Sequence, residues 1–404
     1  MKLRHLAFAA ALAAAGPAAA CDFQNTVPVK SLTAAFQAWK SVTTAMAACG
    51  NVTAELDQDF RLKQPAAFAA TPALYHIGGV SNGTVTPLLN EGTIRPLDDL
   101  VAKYGAHLTP NQLIRVNGQI MAVAMMVNTQ HLMYRQDILS DLGIPVPATW
   151  DEVLAAADKI RASGKMQYPL GGTFRAGWNL AQDFNNMFLG YGGRFVNADN
   201  TPAVNSEAGL KALATMKAMT AYMDPEYLGA DSTVLQQQFQ QGKVALANFW
   251  ASRGGAMDNA AESQVVGLVG AAAAPRAMEG GPPATTLWWD GIVIARNIPD
   301  AEAEAAFRVA MAGLSTEMVK ANNDDAIWLI PGYTPSRLAT GAIATATATP
   351  APAAYPSTVA MGLMHNALGA ELTGFFTGER DAAATLAAVE AAYTIAAKEA
   401  GLLK

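Results

Sequence analysis

Apolar side chains recur at Leu32, Ala35, Phe36, Trp39, Val42 and Met46, the spacing of one buried helix face, and Gly50 ends the run. Short runs of β-branched and apolar residues at 52–56, 73–77 and, at greater length, 119–127 predict strands. Thr149-Trp150-Asp151-Glu152 places a hydroxyl and a carboxylate three residues apart, a capping box that opens a helix reaching about Ala162. Ser206 and Asp300 read as further N-caps before alanine-rich helical patterns. Residues 233–241 predict a helix closed by Gly242, 244–249 the strand after it, and 265–269 and 287–295 two more strands. The last helix is expected over 381–399, with Gly401 ending it. Residues 339–356 are rich in Ala, Thr and Pro; the prolines disfavour a continuous helix or a central strand, so a surface connection is expected. Strands alternating with helices predict an α/β layer fold.

Composition narrows the class. A chain of 404 residues, 51% hydrophobic and 15% charged, is not intrinsically disordered and is long enough for two domains. Lys and Arg total 27 against 33 Asp and Glu, and no basic stripe is present, which excludes nucleic acid as a partner. Residues 1–20, MKLRHLAFAAALAAAGPAAA, combine a basic start, an apolar run, a Gly-Pro breaker and small residues. This is the pattern of a cleavable signal peptide, cut after Ala20, because the run is too short for about 30 Å of hydrocarbon. No later stretch reaches the roughly 18 apolar residues of a membrane helix, so the periplasm is the expected location. The two cysteines are too few for a disulfide scaffold or a four-thiolate zinc site. A Cys21–Cys49 bridge suits an oxidising compartment and would pin the N-terminal segment to the end of the first helix. The alternatives are a lipid on Cys21, although Ala18 stands where lipoprotein leaders usually carry Leu, or two free thiols. No His-Glu metal motif or nucleophile-elbow serine appears, and no metal or other cofactor is expected.

The run MYRQDILSDLGIPVPATWDEVLAAADKI at 133–160 resembles the most recognisable stretch of extracellular solute-binding proteins of the maltose-binding type. QQFQQGKVALANFW at 237–250, WWDGIVIARNIPDAEAEAAFRVAMAGLSTE at 288–317 and TGERDAAATLAAVEAA at 377–392 agree with it, in the family's order. The resemblance implies an α/β, two-lobe periplasmic-binding-protein fold of type II, its lobes joined by a three-segment hinge. The crossings would fall near 128–131, near Leu287 and near 333–336. The N-terminal lobe would then comprise 21–128 and 288–333, and the C-terminal lobe 129–287 and 334–404. A solute, most often a sugar, would sit between the lobes, and closure would signal the transmembrane subunits of an ABC permease; a monomer without catalytic activity is expected. One part departs: members usually open with a strand ending in an aromatic, whereas here only residues 22–28 precede the first predicted helix.

A sugar presents hydroxyls and an apolar face of C–H groups, so its site needs flat aromatics together with amides or carboxylates. Asp290 resembles an acceptor for sugar hydroxyls, with Trp289 beside it as a contact; alternatively one of the consecutive Trp288 and Trp289 is core, since adjacent strand residues point opposite ways. Trp250 resembles a stacking platform, and Arg253 would bind an anionic substituent or else pair with an acid at the lobe surface. Trp178, Asn179 and Asp183 begin a helix and face the cleft; alternatively Trp178 packs on the helix and Asn179 caps it. In the other lobe His76, Ser81 and Asn82 lie on a Gly-rich loop after a strand, where ligands meet α/β sheets, although Asn also serves such turns for its backbone shape. Asn128 lies at the first crossing. His365 stands where some sugar-binding relatives present a histidine, with a buried structural role as the alternative.

Two other readings remain. A secreted glycoside hydrolase needs two facing carboxylates about 5 to 9.5 Å apart, whereas the acids here fall in helix-surface patterns such as Asp151-Glu152 and Glu302-Glu304, or in a turn at Asp324-Asp325. The same fold could instead bind a polyol, a polyamine, a metal or another small solute. Polyamines want several carboxylates and ferric ions want paired tyrosines, and the candidates here are mainly Trp and Asn with one or two Asp.

Overall fold

A computed structural model describes residues 21–404, so the expected leader lies outside the described residues. The chain builds two sheets in turn. It lays down β1 (Val29–Thr33), β2 (Val52–Leu56), β3 (Ile77–Ser81), β4 (Leu113–Val116) and β5 (Gln119–Asn128). One residue later it enters a second sheet with β6 (Gln130–Arg135), β7 (Leu170–Gly171), β8 (Leu246–Trp250) and β9 (Val269–Ala272). It then returns to the first sheet with β10 (Trp288–Ile294) and β11 (Ile327–Trp328), and ends in helices packed on the second. The first sheet runs β11-β5-β10-β3-β1-β2 with β4 beside β5; the second runs β7-β8-β6-β9. β1 pairs in parallel with β2 and β3, while β10 lies antiparallel between β3 and β5.

Each sheet has its own core, giving two lobes. Trp39, Phe68 and Phe307 fill the first; Phe174, Phe184, Phe188, Phe239, Phe249 and Tyr393 fill the second. β5 reads as a nearly unbroken apolar run because helices cover the sheet around it and seven consecutive residues are buried. β3, by contrast, is Ile-Gly-Gly-Val-Ser. Gly78 and Gly79 are needed because a Cβ there would stand 2.8 Å from the Phe68 and Trp39 rings respectively. Core aromatics can therefore press directly on the strand that carries Ser81 to the cleft.

Several boundaries differ from the sequence reading. The first helix spans Gln37–Ala47, and Leu32 belongs to β1. Val29, Leu32 and Thr33 are buried between neighbouring strands, so the apolar spacing merged a strand with the helix after it. The opening strand expected to be absent is therefore present, as β1. β3 starts at Ile77, not Ala73, because its glycines carry little strand signal. The strand expected at 265–269 forms at Val269–Ala272. Within 339–356 the chain forms a helix, Ala339–Ala346, whose Ala339, Ala342 and Thr345 are buried, and the prolines act only after it. Pro299 holds the cap position and Asp300 is already helical, without a capping bond.

The local signals at the other ends correspond to formed structure. Thr149 Oγ1 accepts from the Glu152 amide at 3.3 Å while Glu152 accepts from the Thr149 amide at 3.1 Å. Ser206 and Asp381 each accept from the amide three residues on. Cys21 and Cys49 form a disulfide, with Cα atoms 4.9 Å apart, just past the end of the first helix. Among the described residues no helix is long and apolar enough to cross a membrane.

Candidate functional site

Strand ends and helix starts from both lobes converge on one cleft. β3 contributes Ser81, β5 Asn128, and β10 Trp288 and Asp290. The helix Phe60–Ala69 adds Arg61. From the second lobe come Trp250 and Arg253 at the end of β8, Trp178 and Asn179 at the start of the helix Trp178–Gly190, and Asp231 capping Ser232–Gln240. The lobes touch across the mouth: Gln58 Nε2 donates to Thr233 Oγ1 at 3.1 Å, and the Arg61 guanidinium lies 4.8 Å from the Trp178 ring centre. They enclose about 120 Å³ for the centres of water molecules. At the roughly 30 Å³ that one water occupies this is room for about four, the scale of a single small solute.

Asp290 is the least satisfied group in the wall. It faces Ser81 and Met126 on its neighbouring strands, beside a bulge at Asp290/Gly291. Gly291 allows that bulge, since a Cβ there would sit 2.7 Å from Ala124 Cα. The Asp290 carboxylate has no hydrogen-bond or ion-pair partner among the described residues, and burial alone raises its pKa to about 7.

The aromatic floor is locked by its surroundings. Trp288 stacks on Tyr355 at 4.2 Å, meets Trp250 edge-on at 5.8 Å, and donates Nε1–H to Thr286 Oγ1 at 2.8 Å. Trp178 is covered on both faces, by Arg61 and by His365, whose ring centre is 5.0 Å away in a stacked arrangement. It nevertheless stays half-buried and lines the cleft beside the more deeply buried Trp250 and Trp288. Period-two alternation sends Trp289 the other way: it sits opposite Val127 and packs on the first core, outside the cleft lining. Trp288, not Trp289, is the cleft residue of that pair.

Seven expected residues line the cleft: Asp290, Trp250, Trp178, Asn179, Asn128, Ser81 and Arg253. Asn128 also fastens the crossing, donating to Ser252 Oγ at 3.0 Å and accepting from the Ser252 amide at 3.2 Å. Four others join Trp289 outside it. His76 precedes β3, at the end of the strand opposite Ser81; its Nδ1 accepts from the Lys30 amide at 2.9 Å and its Nε2 faces Glu302 at 3.2 Å. Asn82 turns inward and donates to the Leu287 and Tyr355 carbonyls, both at 3.2 Å. Asp183 lies behind the floor, accepting from Gln130 and twice from Thr173, each at 3.0 Å; burial lifts it to about 6 despite these bonds. His365 is buried behind Trp178. Its Nε2–H donates to the Trp178 carbonyl, its Nδ1 accepts from the Tyr355 hydroxyl, and burial holds it neutral with a pKa lowered to about 4.

Sequence reasoning missed Arg61, Arg175, Asp59 and Asp231, which also line the cleft. Asp231 carried a readable signal as an N-cap, accepting from Thr233 and Val234 amides. The arginines carried none. Among the described residues no group of three or more His, Cys, Asp or Glu is placed to hold a metal ion.

The model of the bacterial extracellular solute-binding proteins matches residues 30–320. The chain belongs to this family. It is a solute-binding protein of the transport kind, and the family is not an enzyme class. A curated relative, a putative binding protein of Brucella abortus, is 27% identical over 144 residues, 34% of each chain, so the match spans about a third of that relative's length. Among solved structures, a solute-binding protein of an ABC transporter from Agrobacterium radiobacter in complex with ribitol aligns with a TM-score of 0.79 at 22% identity. It covers 92% of this chain and 100% of that one. One from Agrobacterium vitis with bound D-mannitol gives 0.79 at 19% identity, covering 93% and 99%. These likenesses show that the solute-binding protein has the two-lobed type II fold.

Proposed function

We propose that this protein binds a sugar or sugar alcohol of about one unit between its lobes and, once closed, delivers it to the transmembrane subunits of an ABC importer. The observation that carries the reading is the cleft itself. Two indoles, Trp250 and Trp288, stand with the uncommitted carboxylate of Asp290, the pairing of apolar faces and acceptors that a polyhydroxylated solute requires. The ribitol and D-mannitol bound by structural relatives are solutes of this kind. A wider groove outside Arg61 and Trp178 gives a longer saccharide somewhere to extend. The protein works as a periplasmic monomer, released by cleavage of residues 1–20, and its lobes turn about the three chain connections.

Native mass spectrometry of protein purified without refolding weighs any retained solute directly, and calorimetry with a panel of sugars and polyols then ranks affinities. Asp290→Ala and Trp250→Ala are expected to weaken binding of the best solute by at least about tenfold. Unchanged affinity in both variants would remove the cleft from consideration.

A further inference from the structure

We propose that the natural solute carries a carboxylate: the cleft suits an acidic sugar, a uronate or aldonate, better than its neutral counterpart. This rests on the sugar-binding reading above and names the class of sugar. Three guanidinium groups line the cleft, Arg61 from the first lobe and Arg175 and Arg253 from the second. Only Arg175 is held in a close ion pair, with Asp231 at 3.1 Å. The nearest carboxylate to Arg61 is Asp59, 4.0 Å away and half exposed, and its guanidinium rests over Trp178 instead. Arg253 is 9% exposed; its Nη1 donates to Gln236 Oε1 at 2.7 Å, and it has no ion-pair partner among the described residues.

Elsewhere half-buried Arg276 rests on carbonyls and Arg308 on aromatic rings, while two other shielded arginines are paired with acids. Arg135 meets Asp137 at 2.5 Å and Arg380 meets Glu371 at 2.6 Å. A buried guanidinium without a close counter-charge is costly; Arg253 is such a group, with Asp231 near it but outside ion-pair distance, and together with the partly exposed Arg61 it marks where an anion belongs. The two arginines come from both lobes, so a carboxylate between them would join the lobes as well as fill the site. Asp290 makes no ion pair with any of them. It is left for the solute's hydroxyls, while the carboxylate takes the arginines.

The test is calorimetry on the full chain stripped of retained solute, with matched pairs: D-glucose and D-glucuronate, D-galactose and D-galacturonate, ribitol and ribonate, plus glucose 6-phosphate. The best acid is expected to bind at least about tenfold tighter than its neutral partner, the gain of a charge-assisted contact. Added salt should erode that preference, and Arg253→Gln or, at the cleft mouth, Arg61→Gln should remove it. Melting curves show that each variant is folded. Neutral sugars binding as tightly as acids would overturn the inference and leave sugar binding standing. A preference that survives both substitutions, or tighter binding of the phosphate, would overturn it too. If nothing in the panel binds, the sugar-binding reading itself falls.

Discussion

Binding should release a proton, and Asp290 is the reason. In the free protein its carboxyl titrates at about 7 because burial penalises the charge and no neighbour stabilises it. Solute hydroxyls donating to the carboxylate favour the ionised form, so the bound pKa falls and affinity rises with pH. If only ionised Asp290 binds, affinity drops about tenfold from pH 8 to 6 and about fifty-fold from pH 7 to 5. At pH 7 about half a proton leaves per solute bound. The free protein shows the opposite slope. A raised carboxyl pKa means the folded state keeps a proton that the unfolded chain has lost, so this group's contribution to stability declines as pH rises from about 4 to about 7. His131 and His365, both near 4, stay essentially neutral across the pH 5 to 8 of the binding assay. Asp183, near 6, does titrate in it, but sits behind the floor on bonds from Gln130 and Thr173 that the solute does not touch. The assay is calorimetry with a neutral sugar in buffers of different ionisation enthalpy from pH 5 to 8, on wild type and Asp290→Asn. A flat profile in the wild type, or the same slope in Asp290→Asn, refutes the reasoning.

Other consequences are simpler to read. Trp250→Ala should weaken binding about 10- to 100-fold with little change in fold, because Trp288 keeps its Tyr355 stack and Thr286 bond; calorimetry and near-ultraviolet dichroism check the two halves. Gly291→Ala should destabilise by about 2 kcal/mol or more and abolish binding, since the new methyl drives into the β5 backbone and moves Asp290; urea denaturation reads the first effect. Replacing Cys21 and Cys49 by Ser should cost about 3.6 kcal/mol, from a loop of 28 residues, and leave solute affinity unchanged because the bridge lies away from the cleft lining.

The fold was legible where local chemistry and tertiary role agree. The Thr149 capping box, the Ser206 cap and the glycine after Gln241 depend on a few adjacent residues, and each forms. Reading failed where an element takes its stability from distant neighbours. β3 is a strand because β1 and β10 hold it and two core rings need its glycines, and nothing in Ile-Gly-Gly-Val-Ser says so locally. The site divided along the same line. Ser81 and Asn128 are found from their place beside a strand end, and Trp250 and Asp290 from the family resemblance. Asn82 and His365 look like ligand groups by type but spend their polar atoms on the chain itself. Arg61 and Arg175 become cleft residues only when the lobes meet, a relation no single stretch of sequence encodes.

The hydrogen bonds around the cleft also say which parts can move. Thr286 receives the Trp288 indole N–H and Gln182 Nε2, and donates to Asn186; Asn186 and Asn248 both donate to Gln130, which donates to Asp183. Thr129 and Thr285 meet at 3.0 Å beside this network, where the chain passes between sheets. The aromatic floor is therefore tied to the second lobe and to two of the connections, and cannot reorient without breaking buried polar contacts. At the mouth, Gln58 to Thr233 and Arg61 over Trp178 join partly exposed groups that water can satisfy. Opening that separates the lobes there and keeps the floor intact breaks these partly exposed contacts and spares the buried network. A solute that adds contacts from Asp290 on one lobe and Trp250 on the other favours the closed state by its differential affinity for it.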